Sequence, residues 1–286
     1  MQRMDIAKAA VSFNTGTSGE DICFWLQPAS PFPNGLTNSA LRQTIHRNSV
    51  QNILMTTEKS TMNIPTLNIS SELAKLWPET RLGCLVYEAQ VKPDCAEVWE
   101  QTNLLLPALR TTLEKTPLAD MPNLGEARAA YKAFGKDPGR FRISSEALYR
   151  RIRQNKDLYH INSVVDTNNL VSLETGFSLG SYDLDMIGPN VIFRLGTEGE
   201  VYAGIGKSDI NLHRMPLLAD EHGAFGSPTS DSTRGMITDR TRHVLTVIYS
   251  FSSSEKFNQA LLCAQNRFST LIAPSHFSMF TVDGTA

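Results

Sequence analysis

The sequence is poor in cysteine, lacks a long hydrophobic run and carries almost no net charge, and each absence excludes a class of protein. Its four cysteines are scattered and none is spaced as Cys-x-x-Cys, which argues against a disulfide framework and a zinc ribbon. No stretch approaches the roughly 18 apolar residues of a membrane-spanning helix. Lysine and arginine total 27 against 29 aspartates and glutamates, so the chain as a whole is not a basic nucleic-acid-binding protein.

The N-terminus lacks the apolar core of a secretory signal peptide and carries Asp5 early. We therefore expect a cytoplasmic protein that does not associate with a membrane. Residues 1–62 are rich in turn signals and show no sustained period, which predicts a poorly ordered extension or a start codon assigned too early. The ordered domain is expected at residues 63–270, followed by a C-terminal tail at 271–286.

A regular pattern begins near residue 66, and the hydrophobic fraction of 41% in 286 residues is enough to bury a core without disulfides or metals. Helices are predicted at 70–77, 94–115, 123–134 and 144–155, with a strand at 82–91. Pro107 is expected to break or kink the second helix, and Ser144 or Ser145 to cap the fourth. Short strands are predicted at 162–165, 170–173, 191–195, 200–203, 216–219 and 243–251, before a last helix capped by Ser254. This order predicts an α+β fold, with a layered, mostly antiparallel β unit flanked by helices.

Positive charge is concentrated in residues 128–160. This segment contains nine lysines and arginines and three acidic residues, which gives a local charge of +6. Aromatic residues are interleaved with them, which is a pattern that can follow a nucleic-acid backbone. Arg142, Arg150 and Arg151 are the candidate RNA contacts; the alternative is a solvated helix face. The interleaved aromatic residues are Tyr131, Phe134, Phe141, Tyr149 and Tyr159.

Three short motifs are rejected or demoted. Gly206-Lys207-Ser208 ends like a phosphate-binding loop, but Val201 stands where the first glycine is required, so a hairpin turn is expected instead. Residues 176–180 read G-x-S-x-G, and a serine hydrolase would use Ser178 with Asp231 and His243. The residues that follow cannot start the helix that such a serine needs, so this interpretation ranks last. Asp220-Glu221-His222 lacks the spacing of a metal site, and no metal or cofactor is expected.

One segment carries a specific resemblance. Residues 165–183, VDTNNLVSLETGFSLGSYD, are similar without a gap to V-D-x-T-N-x-x-x-L-E-x-G-Q-P-x-H-x-x-D, the signature of the phenylalanyl-tRNA synthetase β subunit in its tRNA-binding and editing domain, the fused B-three and B-four modules. Residues 142–151 and 226–234 resemble segments of free-standing members of this family, and the resemblance covers about residues 70–265. The identical signature positions are Asp166, Asn169, Leu173, Glu174, Gly176 and Asp183.

The resemblance implies a free-standing editing-type domain that binds aminoacyl-tRNA and hydrolyses mischarged aminoacyl esters in trans. Such a second site is needed because a phenylalanine pocket rejects an added hydroxyl only about a hundredfold. Aminoacylation is not expected, because the chain is too short for the rest of the β subunit.

The chain departs from the signature at positions that matter for hydrolysis. The family histidine falls on Gly180, and its Gln-Pro pair falls on Phe177 and Ser178. The strand expected to carry the family's editing glutamate, residues 243–251, contains no glutamate. A non-catalytic module that binds RNA or an amino-acid-like ligand is therefore the second hypothesis.

Two groups of residues are predicted to form the site. Asn168 and Asn169 would position a water or an ester carbonyl, and Glu174 is the candidate base. A polar loop at residues 231–234 would line the substrate pocket together with Gly180. Arg234 in this loop could bind a phosphate or carboxylate with two hydrogen bonds. The alternatives are structural: Asn168 and Asn169 capping a turn, Asp166 and Asp183 bonded to local N–H groups, and Glu174 paired with an arginine at 140–153. The polar loop residues are Asp231, Ser232 and Arg234.

Overall fold

The computed structural model of the protein describes residues 63–252 and 254–284, so the predicted extension at residues 1–62 lies outside the described residues. The helices in this part of the chain are α1 Ser71–Leu76, α2 Ala96–Lys115, α3 Leu124–Ala133, α4 Ser144–Arg153, α5 Ser163–Thr175 and α6 Ser254–Leu271. The strands are β1 Thr66–Ile69, β2 Arg81–Glu88, β3 Ser178–Asp183, β4 Asn190–Leu195, β5 Val201–Ala203, β6 Asp209–Asn211, β7 Pro216–Asp220, β8 Gly223–Gly226, β9 His243–Ser250 and β10 Ser275–Asp283.

The strands form two four-stranded sheets and a small ribbon. The first sheet has the order β10-β2-β9-β3 and is antiparallel throughout. The second has the order β1-β4-β7-β8 and is antiparallel except for the parallel pair β1 and β4. The ribbon pairs β5 with β6 around the Gly206 turn, so the expected hairpin is confirmed. The α+β fold with a mostly antiparallel β unit is therefore also confirmed.

Strand β9 lies at the centre of the first sheet and shows how the layers pack. Side chains alternate between the two faces of a strand. Val244 and Ile248 belong to the apolar cluster that includes Phe257 of α6. Leu245 and Tyr249 belong to the other cluster, which includes residues of the second sheet. The first sheet thus separates a helical layer from the second sheet.

The predicted helices before residue 155 are confirmed, with differences at two points. Helix α2 continues through Pro107 without a break, and the Thr111 hydroxyl donates to the Pro107 carbonyl at 3.1 Å. Helix α4 follows Ile143 without a side-chain cap. The predicted cap by Ser144 or Ser145 is wrong because both residues lie inside the helix.

The predicted strands at 162–165 and 170–173 are wrong, because both segments belong to helix α5. Asn162 caps this helix by accepting a hydrogen bond from the Val165 N–H at 3.0 Å, and Gly176 ends it with φ of +78°. Most of the helix is buried on all sides, so its apolar residues show no 3.6-residue period. Without that period, the valine- and threonine-containing sequence favoured strands.

The segment expected to be a C-terminal tail contains strand β10, which extends the first sheet by pairing with β2. Asp283 near its end forms an ion pair with Arg81 at 2.5 Å. Among the helices of the described segments, none has the length and apolarity required to cross a membrane.

Candidate functional site

Strand β3 separates the predicted site residues into two groups, because alternate residues face opposite sides of the first sheet. Ser181 faces helix α5, and Gly180 and Tyr182 face the second sheet. Asn168 and Glu174 on α5 therefore lie on one side of the sheet, and Asp231 lies on the other. The seven predicted site residues therefore do not all come together, because the three on α5 are separated from Gly180 and the loop.

On the helical side, Asn168 is part of a buried polar network. Its amide donates to the Ser181 hydroxyl at 2.9 Å, and that hydroxyl lies 2.5 Å from the Thr246 hydroxyl. Thr246 in turn lies 3.0 Å from the Tyr87 hydroxyl. These contacts join α5 to the sheet, and they occupy the groups that Asn168 would need to position a water. Asn169 is half-buried on the same helix.

Glu174 links two helices. Its carboxylate accepts a hydrogen bond from Arg267 Nε at 3.0 Å and from the Cys263 thiol at 3.3 Å. The partner is thus an arginine of α6 and not one at 140–153. An ion pair in this position orients α5 against α6, and it removes Glu174 from the Asp231 side of the sheet.

The two aspartates shared with the signature bind local backbone N–H groups, as the structural alternative predicted, and Asp166 also binds the Trp99 side chain. Asp166 accepts from the Ile161 N–H at 3.0 Å and from the Trp99 indole at 3.0 Å. Asp183 accepts from the Asp185 N–H at 3.0 Å. Both residues shape the ends of their elements.

On the other side of β3, the ring of Tyr182 lies between two glycines. A Cβ atom on Gly180 would lie 2.2 Å from Tyr182 Oη, and a Cβ on Gly226 would lie 2.2 Å from the same atom. Phe225 packs edge-on against the ring with centroids 5.0 Å apart. The space next to Gly180, where the signature has histidine, is therefore filled by the tyrosine two residues further along the strand.

The Tyr182 hydroxyl donates to Asp231 Oδ1 at 2.7 Å and lies 2.5 Å from the Tyr249 hydroxyl. The Ser227 N–H also donates to Asp231 Oδ1, at 3.0 Å. Burial raises the pKa of Asp231 to about 6, although the hydrogen bonds from Tyr182 and Ser227 oppose the increase. Both hydrogen bonds fall on Oδ1, and no other residue that the structure describes donates to Oδ2, so this second oxygen is available to a water or substrate.

The loop 226–235 that carries Asp231 is held by two further tyrosines. Tyr131 of α3 lies 2.8 Å from the Thr229 hydroxyl. Tyr202 of β5 donates to the Ser230 carbonyl, and its hydroxyl lies 3.2 Å from the Ser227 hydroxyl. The tyrosines around Asp231 come from four elements, α3, β3, β5 and β9. Their positions in the sequence follow no regular spacing, so the sequence alone did not identify them as neighbours.

Arg234 does not present a free guanidinium. It pairs through two nitrogens with Asp220, at 2.8 and 2.9 Å, and donates to the Gly223 carbonyl at 2.7 Å. Burial favours the neutral form of Asp220, but Arg234 and nearby N–H groups outweigh it and hold the pKa of Asp220 below its usual value. Ser232 accepts from the Arg234 N–H at 3.2 Å. Arg234 and Ser232 thus shape the loop, and Asp231 is the predicted loop residue whose carboxylate faces the tyrosines on this side of β3.

A small cavity lies against Tyr249 and Pro228, next to the Asp231 loop. Its volume of about 10 Å³ has room for about one water molecule. Ser178 lines it, and the Ser178 hydroxyl lies 3.2 Å from the Ser145 hydroxyl.

The serine hydrolase interpretation is wrong. The G-x-S-x-G serine needs a strand followed by a helix, but Ser178 opens a strand that follows helix α5. Ser178 pairs with Tyr249 at one end of β9, and His243 lies at the other end, roughly 20 Å away at 3.4 Å per residue. His243 instead lies 3.1 Å from Asp185.

The candidate RNA contacts lie on or beside α4. Arg150 lines a surface groove, Arg151 stacks on Tyr159 with the guanidinium 3.8 Å from the ring centroid, and Arg142 is exposed. Most of the interleaved aromatic residues do not accompany them, because Tyr131, Phe134 and Tyr149 are buried in the core. In the residues that the structure describes, no group of three or more histidine, cysteine or acidic side chains could hold a metal ion.

Comparison with known proteins agrees with the resemblance. The model of the B3/4 domain family matches residues 126–273, more than half of the sequence, and the chain belongs to this family. The β subunit of phenylalanine–tRNA ligase from Yersinia pestis is 34% identical over 92 residues, which are 30% of this chain and 11% of that protein. An N-terminal fragment of the phenylalanyl-tRNA synthetase β subunit from Pyrococcus horikoshii is similar with a TM-score of 0.42 and 14% identity, over 80% of this chain and 53% of that chain. The chain thus spans less than two thirds of either relative.

Proposed function

We propose that this chain binds the aminoacyl end of a tRNA and hydrolyses mischarged aminoacyl esters in trans, with Asp231 as the general base. Membership of the B3/4 family supports the tRNA-related substrate class. The observation that carries the chemistry is the Asp231 carboxyl, which has an available oxygen and a pKa of about 6. A base with a pKa close to the working pH combines a large ionised fraction with a strong tendency to take a proton.

The proposed reaction is the attack of water on an ester. Asp231 takes a proton from the water, whose oxygen forms a bond to the ester carbonyl carbon. The bond between that carbon and the ribose oxygen then breaks, and the ribose oxygen takes up the proton that Asp231 had accepted, so Asp231 is ionised again. The products are a free amino acid and an uncharged tRNA. Because loop 226–235 is held by Tyr131, Tyr182 and Tyr202, the base is oriented before the substrate binds.

The second candidate function is binding of the same RNA without hydrolysis. It is favoured by Gly180 in place of the signature histidine and by the absence of a carboxylate on β9. The structural contacts of Asn168 and Glu174 also favour it, because neither side chain is available for catalysis on the Asp231 side.

The deciding experiment is deacylation of a panel of mischarged tRNAs, starting with the phenylalanine tRNA that carries tyrosine. Wild type and Asp231→Asn are compared, with Asp239→Asn as a matched control because Asp239 is exposed on a neighbouring loop. We expect hydrolysis to fall about a hundredfold or more in Asp231→Asn and to stay unchanged in the control. No hydrolysis by the wild type, with tRNA still bound, would establish the binding function instead.

A further inference from the structure

A groove of about 420 Å³ lies between helix α4 and the connection from α2 to α3. Four cationic side chains and one acidic side chain, Glu114, line it. Within residues 63–252 and 254–284, neither Lys115 nor Arg153 forms an ion pair, so both charges are available to a ligand. The cationic residues are Lys115, Arg128, Arg150 and Arg153.

A buried carboxylate holds two of these cations in place. Glu146 is 1% exposed and accepts hydrogen bonds from Arg128 at 2.9 Å and from Arg150 at 2.9 Å. The side chains of Arg128 and Arg150 remain 28% and 38% exposed. Glu146 therefore fixes the orientation of both arginines, while their remaining N–H groups stay available.

The net charge of this groove is positive but small. Four cations against Glu114 and Glu146 give +2, and the C-terminal ends of α2 and α4 each contribute about half a negative charge. A single free phosphate would consequently bind weakly. A polymer that places several phosphates along the groove would bind far better, because each contact also releases a counterion.

An exposed aromatic residue, Tyr159, follows the end of α4 by six residues in the sequence. Tyr159 is 63% exposed, and Arg151 covers one face of its ring at 3.8 Å from the centroid. An aromatic ring supported by an arginine is a suitable surface for stacking an unpaired base. Duplex RNA does not display its bases in this way, so the combination favours a single strand.

We propose that the groove beside α4 binds the phosphate backbone of single-stranded RNA, with Tyr159 stacking a base of the same strand outside the groove. The choice of RNA over other polyanions rests on the proposed function. Arg128 and Arg150 are held in place by Glu146, and Lys115 and Arg153 contribute the remaining charge.

The test is fluorescence anisotropy of a labelled single-stranded RNA with the full chain. The double variant Lys115→Glu/Arg153→Glu is compared with Lys75→Glu/Lys92→Glu, which makes the same charge change at exposed positions outside the groove. We expect the groove variant to weaken binding about tenfold or more at about 0.1 M salt, and the control to weaken it far less. Loss of two contacts should also reduce the slope of log affinity against log salt by about 1.4.

A second pair of variants tests the stacking site. Tyr159→Ala should weaken binding about fivefold or more, and Tyr159→Phe should bind like the wild type. Equal effects of the groove and control variants, equal affinity for duplex RNA, or equal competition by polyglutamate would each overturn the proposal. Because this assay measures binding alone, an absence of hydrolysis does not affect its outcome.

Discussion

The side chain of Tyr182 occupies the space that any side chain at position 180 would need, because a Cβ atom on Gly180 would lie 2.2 Å from Tyr182 Oη. Gly226 is constrained by the same atom at the same distance. Gly180, which replaces the signature histidine, therefore shares one space with the side chain of Tyr182. Replacing one without the other creates either a clash or a cavity.

Side chains introduced at position 180 are expected to be tolerated only when Tyr182 is made smaller. Gly180→Ala should destabilise the protein by about 1–3 kcal/mol through overpacking, and Tyr182→Ala by about 3–5 kcal/mol through a cavity. The double variant should cost at least about 1 kcal/mol less than the sum, because each change relieves the other. Urea denaturation of the four proteins measures this coupling, and additive costs would contradict the shared space.

The stability of the protein is expected to depend on pH through Asp231. Its pKa in the fold is raised to about 6, so the folded state binds this proton more tightly than the unfolded state does. The resulting stabilisation is complete below the unfolded pKa of about 3.9 and is lost as the pH rises through about 6. Thermal unfolding from pH 4.5 to 7.5 should show this loss in the wild type and in Asp239→Asn but not in Asp231→Asn. Parallel curves for all three proteins would refute the assignment.

The buried carboxylate of Glu146 is expected to matter more for stability than a surface ion pair does. Glu146→Gln should destabilise the fold by about 2 kcal/mol, because two arginines lose a charged partner but remain partly solvated. Asp283→Asn should cost less than about 1 kcal/mol, because the Arg81–Asp283 pair lies at the surface. Chemical denaturation of both variants provides the comparison, and equal costs would argue against a special role for Glu146.

Local features of the fold were predictable because they depend on neighbouring residues. The helix that begins near Ser144 and the hairpin turn at Gly206 follow from side-chain and backbone preferences, and both are present. Helix α5 was missed because burial on all sides removes the helical period that identifies a helix in a sequence.

The candidate site was less predictable because it depends on which side of a sheet each residue faces. Asn168 and Gly180 are near in sequence, but β3 directs Gly180 away from the helix that carries Asn168. The tyrosines that hold the Asp231 loop come from separate elements, so only the folded chain brings their hydroxyls together. The sequence did single out Asp231, because polar residues between glycines are typical of a functional loop.

Glu174 is expected to support the fold and not the reaction, although a base at this position was the natural expectation from the sequence. Its side chain is 8% exposed, and its carboxylate binds Arg267 and Cys263 at the contact between α5 and α6. Glu174→Gln should therefore lower the free energy of unfolding by about 1–3 kcal/mol, because it weakens a charge-assisted contact and leaves Arg267 without its anion. It should leave deacylation per folded molecule unchanged, whereas Asp231→Asn should reduce it. Measuring unfolding and kcat on the same samples separates the two roles, since a loss of kcat at unchanged stability would return Glu174 to the catalytic machinery.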